Sequence, residues 1–314
     1  MANYGSYAAV LNGVNFPNIK MADPDFGIDM HTIMAAGQID PVDFSLAFQD
    51  MKIPIETHDI YKLLAATGGS TLGIALSPLI GLKCASGATF QWQKASDGTF
   101  ASGSNHFTLV SPLGYLNLEE ISAEQDAREP AMAKLSYCLL CSDITDVTKY
   151  CTLSAAAALT GSPGLTTHFA MGPLYINGAQ LTGIQRGRFT TGSRYQTIRT
   201  DGNVVATEGI VVDRNLQLEL DLNDLSAITA LQTAGLFSKG INAAAGTVAW
   251  YLQKCVTGGE RVSAATAEHI KLSFTSSTIE ARGIAKGMKT DAQAKLIIHL
   301  KNQGVAASVA SAIP

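Results

Sequence analysis

Charge is what this chain has least of. Asp, Glu, Lys and Arg make up 15% of its 314 residues, against roughly a quarter in ordinary soluble domains. With 22 basic and 26 acidic residues the net charge is −4, so the protein as a whole lacks the basic excess of something that grips nucleic-acid phosphates. Long apolar runs are missing too. No segment approaches the roughly 18 uninterrupted apolar residues of a membrane span, and Met1 to Ala9 show no charged region followed by an apolar stretch. The expectation is a soluble, non-secreted chain with no membrane anchor. Cysteine is sparse and odd in number: Cys84, Cys138, Cys141, Cys151 and Cys255 read as reduced thiols rather than a disulfide framework.

Motifs that carry chemistry are also missing. There is no Walker loop, nucleophile elbow or dinucleotide fingerprint. Cys138 and Cys141 have CxxC spacing but fall on the strand pattern Leu135, Tyr137, Leu139, where residues three apart face opposite sides. They read as buried or idle thiols. His106 and His269 read as hydrogen-bonded strand histidines, having no acid or nucleophile at a fixed spacing. Trp92 and Trp250 read as core anchors. No cofactor, metal site or catalytic activity is expected.

What the chain does have is glycine, 29 residues of it, and an apolar content of 46%. Low charge and abundant turn formers fit a chain made to assemble. The length favours two domains, and an internal repeat divides them. Asn12 and Gly13 fall on Asn177 and Gly178, and Ile19 on Ile184, at a displacement of 165. Val42, Asp43 and Leu46 meet Val212, Asp213 and Leu216 at 170. Thr89 to Trp92 meet Thr247 to Trp250 at 158, His106 and Leu109 meet His269 and Leu272 at 163, and Ala133 to Leu135 meet Ala294 to Leu296 at 161. Each match is weak alone; the colinear series is what counts.

Within each copy the apolar period is mostly two, as in Leu216, Leu218, Leu220, Leu222 and in Phe44, Leu46, Phe48, which predicts half-buried strands. A helix is predicted after Asp59 through Ile60, Leu63 and Leu64, stopped by Gly68 and Gly69, with a second from Asp224 to Leu231 through Leu225 and Ile228. The expected fold is mainly β: two tandem β-sandwich or barrel domains, each with one flanking α-helix. The first copy spans 1–154, a linker 155–171, the second copy 172–302, and a mobile C-terminal arm 303–314.

Charge separates the copies. Pro17 to Asp43 carries Lys20 against Asp23, Asp25, Asp29, Asp40 and Asp43. Thr182 to Arg214 carries Arg186, Arg188, Arg194, Arg199 and Arg214 against Asp201, Glu208 and Asp213. Either these are two solvated loops that drifted apart, or acid meets base where copies adjoin, steering association between subunits or rings.

A β-sandwich with a flanking helix, long hairpin-like loops, a terminal arm and little charge resembles the tail tube protein of long-tailed bacteriophages, over about residues 9–145 and 172–302. The resemblance implies a virion structural subunit, assembled in the host cytoplasm, whose duplicated form makes trimeric, pseudo-hexameric rings. The rings stack into a tube that conducts DNA during infection. It implies contacts with itself, with tape-measure, tail-terminator and distal-tail proteins, and transiently with DNA. Asp23, Asp25, Asp29, Arg186, Arg188, Arg194 and Arg199 would then lie on loops between subunits or rings, and Gln217, Glu219 and Asp221 on a lumen-facing strand. Other ring formers stay open: a sliding clamp, a secretion tube or a capsid subunit. A clamp predicts basic helices around its hole, whereas the first helix has Lys62 alone and the second has no basic residue.

Overall fold

The computed structural model describes residues 3–17, 19–21, 24–34, 36, 40, 43–64, 82–96, 99–100, 106–125, 130–160, 167–200, 202–223, 247–256, 259–275, 277–284, 294–300 and 305–314. The fold is mainly β. In chain order the elements begin with β1 (Asn3–Leu11), β2 (Val14–Phe16), β3 (Ile19–Met21), β4 (Ile28–Ile33), β5 (Asp43–Gln49), β6 (Lys52–Thr57) and α1 (Ile60–Leu64). Next come β7 (Leu82–Cys84), β8 (Ala88–Ser96), β9 (Thr99–Phe100), β10 (His106–Ser111), β11 (Leu113–Glu124), β12 (Met132–Leu140) and β13 (Thr152–Ala157). The second half follows with β14 (His168–Ile176), β15 (Ala179–Leu181), β16 (Ile184–Thr190), β17 (Arg194–Ile198), β18 (Glu208–Asp213) and β19 (Gln217–Leu222). It ends with β20 (Val248–Cys255), β21 (His269–Phe274), β22 (Ser277–Ile284), β23 (Ala294–Leu300) and β24 (Val305–Ser311).

One long antiparallel sheet runs through both halves in the order β22-β23-β19-β16-β11-β12-β6-β3. Two further sheets, β13-β10-β8-β1-β2 and β24-β21-β20-β14-β15, cover it. Rings from facing sheets meet: Phe90 lies 5.2 Å from Tyr137 between centroids, and Phe189 lies 5.5 Å from Phe274. These contacts give a sandwich whose apolar core runs without a break from one half to the other. Its source is the period-two pattern: Leu218, Leu220 and Leu222 are fully buried while Gln217, Glu219 and Asp221 stand on the opposite face.

Local chemistry recurs at the expected offsets. Asn12–Gly13 and Asn177–Gly178 both have positive φ (48° and 84°; 53° and 81°) and close two-residue hairpins, the geometry that an Asn-Gly pair favours. Both first strands carry a bulge, between Ser6 and Ala8 in β1 and between Met171 and Leu174 in β14. Trp92 and Trp250 are both buried, but the strand registers set Trp250 level with Phe90 rather than Trp92. His106 and His269 are buried as well. Each imidazole Nδ1 accepts a backbone N–H, from Lys94 at 3.2 Å and from Lys254 at 3.1 Å. The Nε2 of His269 lies 2.9 Å from the Ser263 carbonyl, so the tautomer with its hydrogen on Nε2 gives both ring nitrogens a partner.

Three expectations need correction. Of the expected mobile arm 303–314, residues 305–314 are held in place: β24 pairs with β21, Val305 is buried, and the Ile313 N–H bonds Ala264 O. The expected linker 155–171 is strand at both ends, in β13 and β14, with 161–166 outside the described residues. Phe44, Leu46 and Phe48 do form a strand, β5, but are exposed, because β4–β5 is a hairpin held off the main sheets. The stop at Gly68 and Gly69 and the whole second helix lie outside the described residues.

Replacing His269 by Ala removes the acceptor of the Lys254 N–H and opens a buried hole. The expected loss is about 1–3 kcal/mol, read as a lower urea midpoint at unchanged m-value. His269→Asn, which keeps an acceptor on a short stem, is expected to recover part of it.

Candidate assembly interface

The two halves are joined by backbone pairing of β11 with β16. One edge of β11 takes β12; the other takes β7 over residues 114–116 and β16 over 120–124. In the joint Ile121 stands opposite Phe189, Ser122 opposite Arg188 and Glu124 opposite Arg186. Two ion pairs lock it: Arg188 Nη2 lies 2.6 Å from Glu120 Oε2 and Arg186 Nε lies 3.0 Å from Glu124 Oε1. The Glu120 side chain is only 7% exposed, and its hydrogen bond raises Arg188 above the ordinary guanidinium value. Gly187 lets β16 approach the core here, since a Cβ would stand 2.7 Å from the Trp250 ring.

The hairpin β17–β18 from the second half lies over the first. Tyr195 stacks on Tyr115 at 5.8 Å, the Cys141 N–H bonds Ala206 O at 2.7 Å, and the Gln49 N–H bonds Val204 O at 2.8 Å. Asp50 clamps the hairpin through Thr197 and through an ion pair with Arg199, whose guanidinium also sits 4.8 Å from the Phe48 ring centroid. Tyr115, Leu140 and Ala206 form a small second core beneath it. The hairpin β4–β5 differs: Ile28, Met30, Ile33, Met34, Phe44 and Leu46 are between 41% and 56% exposed. That many large apolar side chains on one projecting element make a surface suited to another protein.

Of the charges singled out in the sequence, Arg186, Arg188 and Arg199 meet carboxylates of the first half. Their partners are Glu124, Glu120 and Asp50 rather than the loop aspartates. Arg194 is exposed at the start of β17, opposite Asp213 in register. Asp25 is exposed, accepts the Gly27 N–H on its side chain, and bridges to Lys52 through its backbone. Asp29 is exposed on β4, and Asp23 lies outside the described residues. Gln217, Glu219 and Asp221 share the face of the long sheet that points away from the core, where Glu219 pairs with Lys295 at 2.9 Å. The partners Glu120, Glu124 and Asp50 went unnoticed because nothing in the linear sequence brings β11 beside β16.

Burial raises the Cys84 and Cys138 thiols to about 12, far from the range of a reactive thiolate. Among the described residues no group of three or more His, Cys, Asp or Glu side chains is placed to hold a metal, and no helix is long and apolar enough to cross a membrane. A cleft of about 580 Å³ beside β14 and β16 is lined by Gln125, Gln185, Asn223, Gln253 and Arg261 among others. No protein-family model matches the chain, and no curated protein matches it in sequence.

The Glu120–Arg188 pair is expected to hold the joint. Arg188→Ala leaves a carboxylate with little access to water and is expected to cost about 2–3 kcal/mol. In a double-mutant cycle with Glu120→Gln, denaturation should show a coupling of about 1 kcal/mol or more. Strictly additive losses would mean that the joint holds without this pair.

Proposed function

We propose that this protein is a structural subunit of a tail tube of the phage type, a virion component in which three duplicated chains close a pseudo-hexameric ring and rings stack around a DNA-conducting channel. The observation that carries the reading is the joint inside the chain. In the long sheet, β22-β23-β19-β16 follows the same order as β11-β12-β6-β3, with β22 in the place of β11 and β16 in the place of β3. The two covering sheets follow one order as well, and the sequence matches at Ile19, Thr89 to Trp92, His106 and Ala133 to Leu135 fall on or beside corresponding strands, whereas Leu46 in β5 and Leu216 before β19 do not. We read the halves as copies of one domain.

On that reading, the β11–β16 pairing joins the last strand of one copy to the first strand of the next. The two edges that have no partner strand among the described residues, β22 and β3, are the same two kinds of strand. A neighbouring chain repeats the joint by pairing its β3 with β22, a head-to-tail contact that closes into a ring when its rotation divides the circle. Closure satisfies the edge N–H and C=O groups that a monomer leaves open. The same repetition carries β4–β5 onto the second half of the next chain, as β17–β18 lies on the first half within the chain. Its exposed apolar side chains fit that role.

Negative-stain electron microscopy of the purified protein tests the proposal. Stacked rings with a central channel are the expected result; monodisperse monomers at high concentration would overturn it. A proline on β22 tests the joint. Of Glu280→Pro and Ala281→Pro, the variant whose N–H faces away from β23 is expected to keep its fold by circular dichroism and lose ring formation, and rings surviving in both would place the contact elsewhere.

A further inference from the structure

The outward face of the long sheet carries its charges in an ordered pattern. From the β3 edge inward, Lys20 stands opposite Glu56, Glu56 opposite Lys134, and Lys134 opposite Glu120. The alternation crosses the joint: Glu120 holds Arg188, Arg188 stands opposite Glu219, and Glu219 holds Lys295. A second row repeats it, with Glu124 opposite Arg186, Arg186 opposite Asp221, and Asp221 opposite Lys295. Five carboxylates and five cations thus alternate across seven strands, from β3 to β23, and no two of them with like charge stand directly opposite each other; the exposed Lys52 on β6 and Glu119 at the β11 bulge lie outside these rows. Five contacts close at 4.0 Å or less: Lys20–Glu56, Lys134–Glu56, Arg186–Glu124, Arg188–Glu120 and Lys295–Glu219. The pattern ends at β22, where Arg282 takes the register position opposite Lys295.

A polyanion is held by cations that exchange small counterions for its phosphates. Each cation of these rows already has a carboxylate beside it, which neutralises the attraction and repels a phosphate that approaches. Soluble side chains without charge would keep this face wet equally well, so solvation does not account for the alternation. We propose that the carboxylates Glu56, Glu120, Glu124, Glu219 and Asp221 mask the cations of this face, so that duplex DNA passes over it without being held. The proposal rests on the tube reading for the presence of DNA, but the masking is a property of the face itself.

The test is fluorescence anisotropy of a short labelled DNA duplex with the full chain and with the variant Glu56→Gln/Glu124→Gln/Glu219→Gln, which leaves the buried Glu120 in place. The wild type is expected to leave the anisotropy unchanged at about 50 mM salt. The variant is expected to bind, and to lose roughly a hundredfold in affinity by about 200 mM, as for some four freed phosphate contacts. Lys20→Gln/Lys134→Gln/Lys295→Gln should not bind. Binding by the wild type equal to that of the variant, or a folded variant that ignores DNA, would overturn the mask. Should the triple variant not fold by circular dichroism, Glu56→Gln/Glu124→Gln carries the same test with a smaller gain. Electron microscopy of the same samples separates the two proposals: rings without a gain in binding remove the mask alone, and a gain without rings removes the tube alone.

Discussion

Backbone N–H and C=O groups along the last strand of a sheet need partners or water, and in this chain that demand is met by one half for the other. β16 ends the sheet of the second half and β11 ends that of the first; pairing them removes two edges at once. The rest of the molecule is arranged around that pairing. Phe189, opposite Ile121 in the joint, is also the residue whose ring meets Phe274 from the covering sheet. The core of the second half is therefore aligned by the same strand that fixes its register on the first, and a one-residue slip would turn Phe189 and Gly187 toward water and Arg188 toward Trp250.

The two hairpins show what the joint decides next. β17–β18 lands on a prepared surface of Tyr115, Leu140 and Asp50 because β11–β16 pairing brings the second half there. Its anchors are an aromatic stack and a charge clamp. β4–β5 meets no equivalent surface among the described residues and keeps Ile28, Met30, Ile33, Phe44 and Leu46 exposed. Burying each such side chain is worth about 1.5–3 kcal/mol, less what association itself costs, so the exposed hairpin is where a second chain has most to gain.

The fold class was legible in the sequence because alternation reports a strand with two different faces, and β19 has them. The Asn-Gly turns were legible for a similar reason, since few other pairs tolerate positive φ at both positions. Alternation does not say what covers the apolar face. Phe44, Leu46 and Phe48 alternate as well as Leu216 to Leu222 do, yet one set is exposed and the other buried. β24 escaped notice because Val-Ala-Ala-Ser-Val-Ala-Ser has small residues on both faces, and its place beside β21 comes from the open edge of that strand. The arginines were found and their partners were not, because β11 and β16 are remote in sequence and adjacent only through the joint.

Scarcity of charge takes on a structural meaning in this light. A sheet that continues from one half to the other needs backbone at its edges and apolar side chains beneath, and charge in either place would oppose the pairing. The charges that remain are therefore driven to the outward face, where β-pairing sets them side by side at fixed spacing. Like charges there would push the strands apart, while opposite charges add to the register that the core already prefers. Alternation across the joint follows from the same rule: Glu120 and Glu124 on β11 require cations on whichever strand comes beside it, and β16 supplies Arg188 and Arg186. A strand that brought aspartates to those positions would be refused, so the charge difference between the halves is also what tells them apart.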